Sequence, residues 1–148
     1  MRFPRRMVLI FVAAIALAGC ATQGVPYKEQ EAKLPPLAAS AGRIFIYRSS
    51  SLGFAVQPTV YLNGAPIGTA VPNAAYFVDR PKGTYEIAAS TEVEKKVTFV
   101  LDTGEIKYVL LTPTFGVLVG RIVPELVAKD EATKELLELT FITPSPAK

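Results

Sequence analysis

One thiol is the most chemically distinctive group in this sequence. Cys20 is the only cysteine among 148 residues, and it directly follows Leu17-Ala18-Gly19 at the end of an unbroken apolar stretch, Met7 to Ala18. A lone cysteine forms no intramolecular disulfide. The other reactive groups suggest less. There is no histidine, which removes the usual general base near neutral pH. With one cysteine and no histidine, a zinc or copper site would need carboxylates alone, which those metals seldom accept, so no metal and no cofactor is expected. Glu92 and Glu94 flank Val93 on one face of a strand, as paired catalytic carboxylates do, but beside Lys95 and Lys96 they read better as loop charges. Ser49 to Ser51 offer hydroxyls without a base to activate them and read as a turn. Asp79, Glu86 and Glu125 would matter only if the fold paired them in a deep cleft. No Gly-x-Ser-x-Gly elbow, P-loop, Ser-x-x-Lys or metalloprotease helix is present. The expectation is a non-enzymatic protein.

The residues around the thiol form an ordered set. Arg2, Arg5 and Arg6 make a positive head before the apolar run, which at twelve residues is short of the roughly 18 to 20 needed to span a bilayer. Leu17-Ala18-Gly19-Cys20 resembles the lipobox of bacterial lipoproteins. The resemblance implies that residues 1–19 are a signal peptide, that Cys20 accepts a diacylglycerol, and that cleavage frees its amine for a third acyl chain. Each buried CH₂ contributes about 0.8 kcal/mol, so two or three chains hold a membrane durably where one holds marginally. An uncleaved anchor and an ordinary secretory signal cut near Ala18 or Ala21 are the weaker alternatives. Ala21 stands where an Asp would resemble the inner-membrane retention signal. The implied location is the outer membrane, facing the periplasm, or the outside of the cell membrane if the source has only one.

Removing the leader changes the charge balance. The 16 Lys and Arg fall to 13 without Arg2, Arg5 and Arg6, against 13 Asp and Glu. A formally neutral protein lacks the cationic surplus that displaces counterions from phosphates, so nucleic acid is not an expected partner. Membrane lipid through acylated Cys20, and an envelope protein, are.

The elements that would position these groups are short strands. Residues 20–42 carry Gly24, Pro35-Pro36 and small polar residues and read as a lipidated N-terminus with a flexible tether, reaching roughly 25 Å on average. Tyr27 or Leu34 could equally dock on the domain. Residues 43–142 read as an all-β, immunoglobulin-sized β-sandwich with a short C-terminal helix. Arg43 to Arg48 is apolar on both faces and therefore central. Val56 to Leu62 alternates into Asn63-Gly64, the dipeptide of a type I′ hairpin. Pro66 to Ala70 carries a proline and belongs at an edge. Ala74 to Asp79, Tyr85 to Ala89 and Lys96 to Leu101 are further strands, with a β-turn at Arg80 to Gly83. Asp102-Thr103-Gly104 closes a hairpin into Ile106 to Thr112, and Tyr108 to Val123 reads as two buried strands around a Pro-Thr turn. Asp130 is a plausible helix N-cap, with Ala132, Leu136 and Leu139 on one face before a strand or extended tail. Residues 143–148 read as a disordered tail.

Two segments are candidate binding surfaces. Ser51-Leu52-Gly53-Phe54-Ala55 is apolar where loops are usually polar, so Leu52 and Phe54 could meet a partner or lipid headgroups, or fold over the end of the core. Phe115, Gly116 and Gly120 lie on a glycine-spaced strand, where glycine marks close backbone approach, of a partner strand or within the sheet. The alternative is a carrier of a small lipid or glycan, with a sandwich-end pocket lined by Phe54, Tyr76 and Tyr108.

Several of these runs carry a family resemblance. Arg43-Ile44-Phe45-Ile46-Tyr47-Arg48, Val60-Tyr61-Leu62-Asn63-Gly64 with Ile67-Gly68, Pro81-Lys82-Gly83-Thr84-Tyr85, and Phe115 to Arg121 resemble the lipoprotein domain known as domain of unknown function 2846, over about residues 42 to 128. The hairpin and Pro-x-Gly-x-Tyr motifs also recur in small modules similar to PEGA domains. The resemblance implies a lipobox, a tether and a small β-rich domain, and brings no established activity with it.

Overall fold

The computed structural model describes residues 24–90, 94–115 and 120–145. In chain order its strands are β1 (Val25–Pro26), β2 (Ala41–Arg48), β3 (Thr59–Leu62), β4 (Ala65–Thr69), β5 (Ala74–Pro81), β6 (Gly83–Ala89), β7 (Lys95–Leu101), β8 (Ile106–Thr114), β9 (Arg121–Val127) and β10 (Thr140–Phe141). Helix α1 (Tyr27–Gln30) runs into a 3-10 turn at Glu31–Lys33, and α2 (Lys129–Leu136) precedes β10. The strands form an all-β sandwich: a six-stranded sheet ordered β1-β10-β5-β2-β8-β9 faces a four-stranded sheet ordered β4-β3-β6-β7.

The expected central strand is central. Every residue of β2 is buried, because its two faces serve two cores. Ile44 and Ile46 point between the sheets, where they meet Val60, Leu62, Tyr76, Ile87, Leu101, Val109 and Leu111. Phe45 and Tyr47 point the other way, into a second core with Tyr27, Ala75, Tyr108, Ala132, Leu136 and Leu139. The period of two along β2 thus divides its apolar residues between two packed layers.

That second core revises the expected tether. From Val25 the segment is docked: β1 pairs antiparallel with β10, the Tyr27 amide donates to the Leu139 carbonyl at 2.8 Å, and Tyr27 is 5% exposed. Its ring meets Phe45 edge-on at 6.1 Å between centroids. Arg43 fastens the next stretch, donating to both Asp79 oxygens at 2.7 and 2.8 Å and to the Pro35 carbonyl at 2.9 Å. Composition alone marked this segment as linker, yet one buried tyrosine and one sheet edge are enough to hold it. Residues 143–145 differ likewise from a disordered end: they follow Ile142, which packs on the first core, and the Thr69 hydroxyl donates to the Ser145 carbonyl at 2.8 Å; residues 146–148 lie outside the described residues.

The hairpin expected at Asp102-Thr103-Gly104 and the β-turn expected at Arg80 to Gly83 are corners between the sheets instead. Asp102 to Glu105 joins β7 in the small sheet to β8 in the large one, and β8 pairs in parallel with β2. Between β5 and β6 only Lys82 separates strands of different sheets. The two corners are tied by the Lys82–Asp102 ion pair at 2.6 Å, which holds the Asp102 carboxyl below the usual carboxylate range. By contrast, Asn63-Gly64 does form the expected hairpin between β3 and β4, both residues adopting positive φ, 49° and 79°, as a type I′ turn requires. The strand before it is shorter than the alternation suggested, starting at Thr59 rather than Val56. β4 lies at a sheet edge, as its proline required.

The expected Pro-Thr turn is inside β8. Pro113 pairs with Ile122 of β9, while the ladder to β2 ends at Leu110, so the proline sits where the strand has a neighbour on one side only. Helix α2 begins at Lys129 after Ala128, with no side-chain cap. Asp130 therefore stands in the first turn, where it and Glu131 favour the positive end of the helix dipole.

Candidate functional site

The two segments singled out as binding surfaces meet at one end of the sandwich. The Ser49–Gln57 connection leaves β2 and passes over that end, and β8 and β9 finish and start beneath it. Arg48, the last residue of β2, determines the shape of the connection. It is fully buried, and its guanidinium donates only to carbonyls: Nη1 to Val56 at 2.7 Å and Ala70 at 2.9 Å, Nη2 to Leu52 and to Gly53 at 3.0 Å, Nε to Ser50 at 3.2 Å. No carboxylate joins them. Burial pulls the arginine pKa down, and the carbonyl dipoles replace its hydration. The loop is thereby wound about a cation, with Gly53 at φ 62° allowing the reversal. The Val56 amide donates back to the Gly53 carbonyl at 2.9 Å, and Gln57 Nε2 donates to the Phe54 carbonyl at 3.0 Å.

With its carbonyls turned inward, the loop presents its side chains outward. Leu52 is 49% exposed and Phe54 72%. Phe115, at the end of β8, is 87% exposed. Between loop and strand ends lies a groove of about 200 Å³, walled by Leu52, Val56, Pro113 and Ile122 with Arg121 among them. Gly120 borders this groove, yet a side chain there would make only ordinary contacts, 3.7 Å from Val56 and from the Thr114 carbonyl. The expected close backbone approach is therefore absent at Gly120. Gly116 lies outside the described residues, as do Gly19, Cys20 and Glu92.

The other expected constellations are dispersed. Tyr76 packs between the sheets and Tyr108 on the opposite face of the large sheet, while Phe54 projects from the loop, so these three line no common pocket. Burial pushes the Tyr76 and Tyr108 phenols above their usual range. Asp79 pairs with Arg43, and Glu86 pairs with Lys96 at 3.0 Å on the other sheet. Glu125 is exposed on β9. These carboxylates share no cleft. Glu94 pairs with Lys96 at 3.1 Å. The Ser49 hydroxyl donates to Glu135 at 3.3 Å, fixing the start of the loop to α2; burial first, and Glu135 beside it, push the Tyr47 phenol up. Among the described residues no group of three or more His, Cys, Asp or Glu could hold a metal ion, and no helix is long and apolar enough to cross a membrane.

Sequence reasoning missed Arg48 and Arg121 at this end of the sandwich, and Arg43, which fastens the N-terminal segment at the other end of β2. Arg43 and Arg48 bound a strand read as central, and a central strand offers a charged side chain no water. That signal alone implied partners for both.

The chain is similar to a protein of Haemophilus influenzae described only as uncharacterized, 24% identical over 137 residues, covering 89% of this chain and 81% of that protein. No protein-family model matches the chain, and no solved structure matches it.

Proposed function

We propose that this chain is a bacterial envelope lipoprotein, anchored through acylated Cys20, whose β-sandwich serves as a non-enzymatic binding or structural module. The order Leu17-Ala18-Gly19-Cys20, after a positive head and a short apolar run, carries the reading. Ala21 after the cysteine favours the outer membrane and a periplasmic orientation, or the outer surface of the cell membrane in a single-membrane source. The exposed Leu52, Phe54 and Phe115 at the loop end are the surface to which binding of an envelope partner is assigned.

The docked segment sharpens this reading. Only Ala21, Thr22 and Gln23 separate Cys20 from Gly24, so an acylated Cys20 would leash the domain by at most about 14 Å at roughly 3.5 Å per extended residue. The leash joins at the β1 edge of the large sheet, and the groove lies by β8 and β9 at the opposite edge. Five strand spacings of roughly 4.8 Å put about 24 Å between those edges. Such a domain lies close to the lipid surface, its leash joined at the same end of the large sheet as the loop but one sheet width away.

The test is metabolic labelling with a clickable fatty acid in cells producing the full chain. Wild type is expected to be labelled and to sediment with membranes, and Cys20→Ala to lose the label and remain unprocessed. An unlabelled wild type, or a Cys20→Ala form that is processed and fractionates as before, rejects the anchor.

A further inference from the structure

Arg121 departs from the pattern of the other arginines drawn into the fold. Arg43 has Asp79, and Arg48 has its ring of carbonyls. Arg121 opens β9 half-buried, and its Nε is out of contact with water and has no hydrogen-bond partner. Arg121 is also the one charged side chain among the described residues lining the groove, and an anion set against its guanidinium gains charge-assisted hydrogen bonds.

Its surroundings restrict which anion. The groove is otherwise walled by Leu52, Val56, Pro113 and Ile122, so an inorganic anion would leave those walls uncovered. An uncharged apolar molecule would leave the guanidinium unpaired. A glycan needs many polar partners, and the walls offer few. About 200 Å³ holds roughly six or seven groups the size of a water or a methylene, at about 30 Å³ each. That takes the head and most of a medium chain, whose end projects from the open groove, and is far short of a full membrane lipid.

We propose that this groove binds a small apolar monocarboxylate, its head on the Arg121 guanidinium and its chain on Leu52, Val56, Pro113 and Ile122. The proposal deepens the reading of the loop end as the binding surface and rests on it. It does not rest on acylation of Cys20. Arginine suits the role because its planar fork matches a carboxylate in two parallel hydrogen bonds, and a mostly apolar wall around one charge fixes the ligand's orientation.

The test titrates octanoate, octylamine and octanol into the chain from Ala21 onward, which contains every residue of both cores. Proton–nitrogen correlation spectra report the site. Octanoate is expected to shift the amides of Leu52, Val56 and Ile122, and octylamine to leave them in place. Arg121→Gln should weaken octanoate about tenfold or more, and Arg121→Lys should restore part of the loss. Three results overturn the site: no shift in millimolar octanoate, equal shifts with octylamine, or equal octanoate binding by Arg121→Gln. Equal binding of wild type and Arg121→Gln to phosphatidylcholine vesicles, reporting through Phe54 and Phe115, would assign the loop end to a lipid surface and also overturn it. Because fatty-acid labelling reads Cys20 alone, failure of the anchor and failure of the groove give different results.

Discussion

The outer face of the large sheet and the loop end of the sandwich are both apolar, yet only one is covered. On the outer face, Phe45, Tyr47 and Tyr108 lie beneath Tyr27 from the N-terminal segment and beneath Ala132, Leu136 and Leu139 from the C-terminal one. The Phe45 and Tyr108 rings stack at 5.6 Å and 8°, closed off from water. At the loop end, Leu52, Phe54 and Phe115 stand open. The difference lies in what the chain does with its termini. Among the described residues it lays Tyr27, Ala132, Leu136 and Leu139 across the outer face and leaves Leu52, Phe54 and Phe115 uncovered at the loop end, which it stiffens from below with Arg48. A loop that buries its apolar side chains lowers its own free energy; this one turns its backbone inward around a cation and leaves the side chains in water. An apolar patch held in one shape is suited to contact with something else.

Removing the cation should break that comparison with the largest effect. Arg48→Met keeps the apolar stem and leaves the carbonyls of Leu52, Gly53, Val56 and Ala70 without their donor. Each buried unsatisfied acceptor costs about 1 to 3 kcal/mol, and the loop recovers part of that by opening to water, so a net loss of about 3 kcal/mol is expected. Urea unfolding would measure it, and limited proteolysis should cut between Ser49 and Val56 in the variant alone. An unchanged midpoint with an intact loop would show that the loop holds its shape without the arginine.

The covered face carries a phenol that makes it respond to alkaline pH. Burial first, then Glu31 nearby, pushes the Tyr27 phenol from 10.0 up to about 12. A phenol with a raised folded pKa binds its proton more tightly when docked. Its contribution is therefore whole below pH 10 and declines as pH rises toward about 12. The expected result is release of the β1–α1 segment in that window while the inter-sheet core persists. Aromatic proton–carbon spectra, which survive at high pH, would follow the Tyr27 and Phe45 rings. Tyr27→Phe keeps the ring and removes the titration, so its segment should remain docked throughout. Release of wild type and Tyr27→Phe at the same pH would trace undocking to another group.

Much of this division was readable from residue patterns. The two-faced run Arg43 to Arg48 identified the central strand, and Asn63-Gly64 its hairpin, because both signals are local: a period of two and a pair of positive φ angles. The second core was not local. It is assembled from Tyr27 and Leu139, whose hydrogen bond spans most of the chain, and no periodicity links residues so distant. The corners at Lys82 and at Asp102 to Glu105 look like hairpin turns in sequence, since turn residues specify a reversal and leave open which sheet the next strand joins. The loop end was half legible. Leu52 and Phe54 stood out as apolar residues in a connection, and Arg48 at the end of a central strand implied a partner without naming it, whereas Arg121 acquired meaning only once the groove placed it in the wall.

Phe54→Ser and Phe115→Ser sharpen the comparison with the smallest effect. Side chains 72% and 87% exposed bury little area on folding, so each substitution should change stability by no more than about 0.5 kcal/mol. The same change at a ring buried in the second core would forfeit both transfer energy and packing, about 3 to 5 kcal/mol for a large aromatic. Binding of an environment-sensitive hydrophobic dye should fall in the two surface variants even though their unfolding midpoints do not move. A loss above about 1 kcal/mol at either position would mean that the ring is packed in solution and that the loop end is sealed as the outer face is. The contrast between a covered and an open surface would then no longer stand.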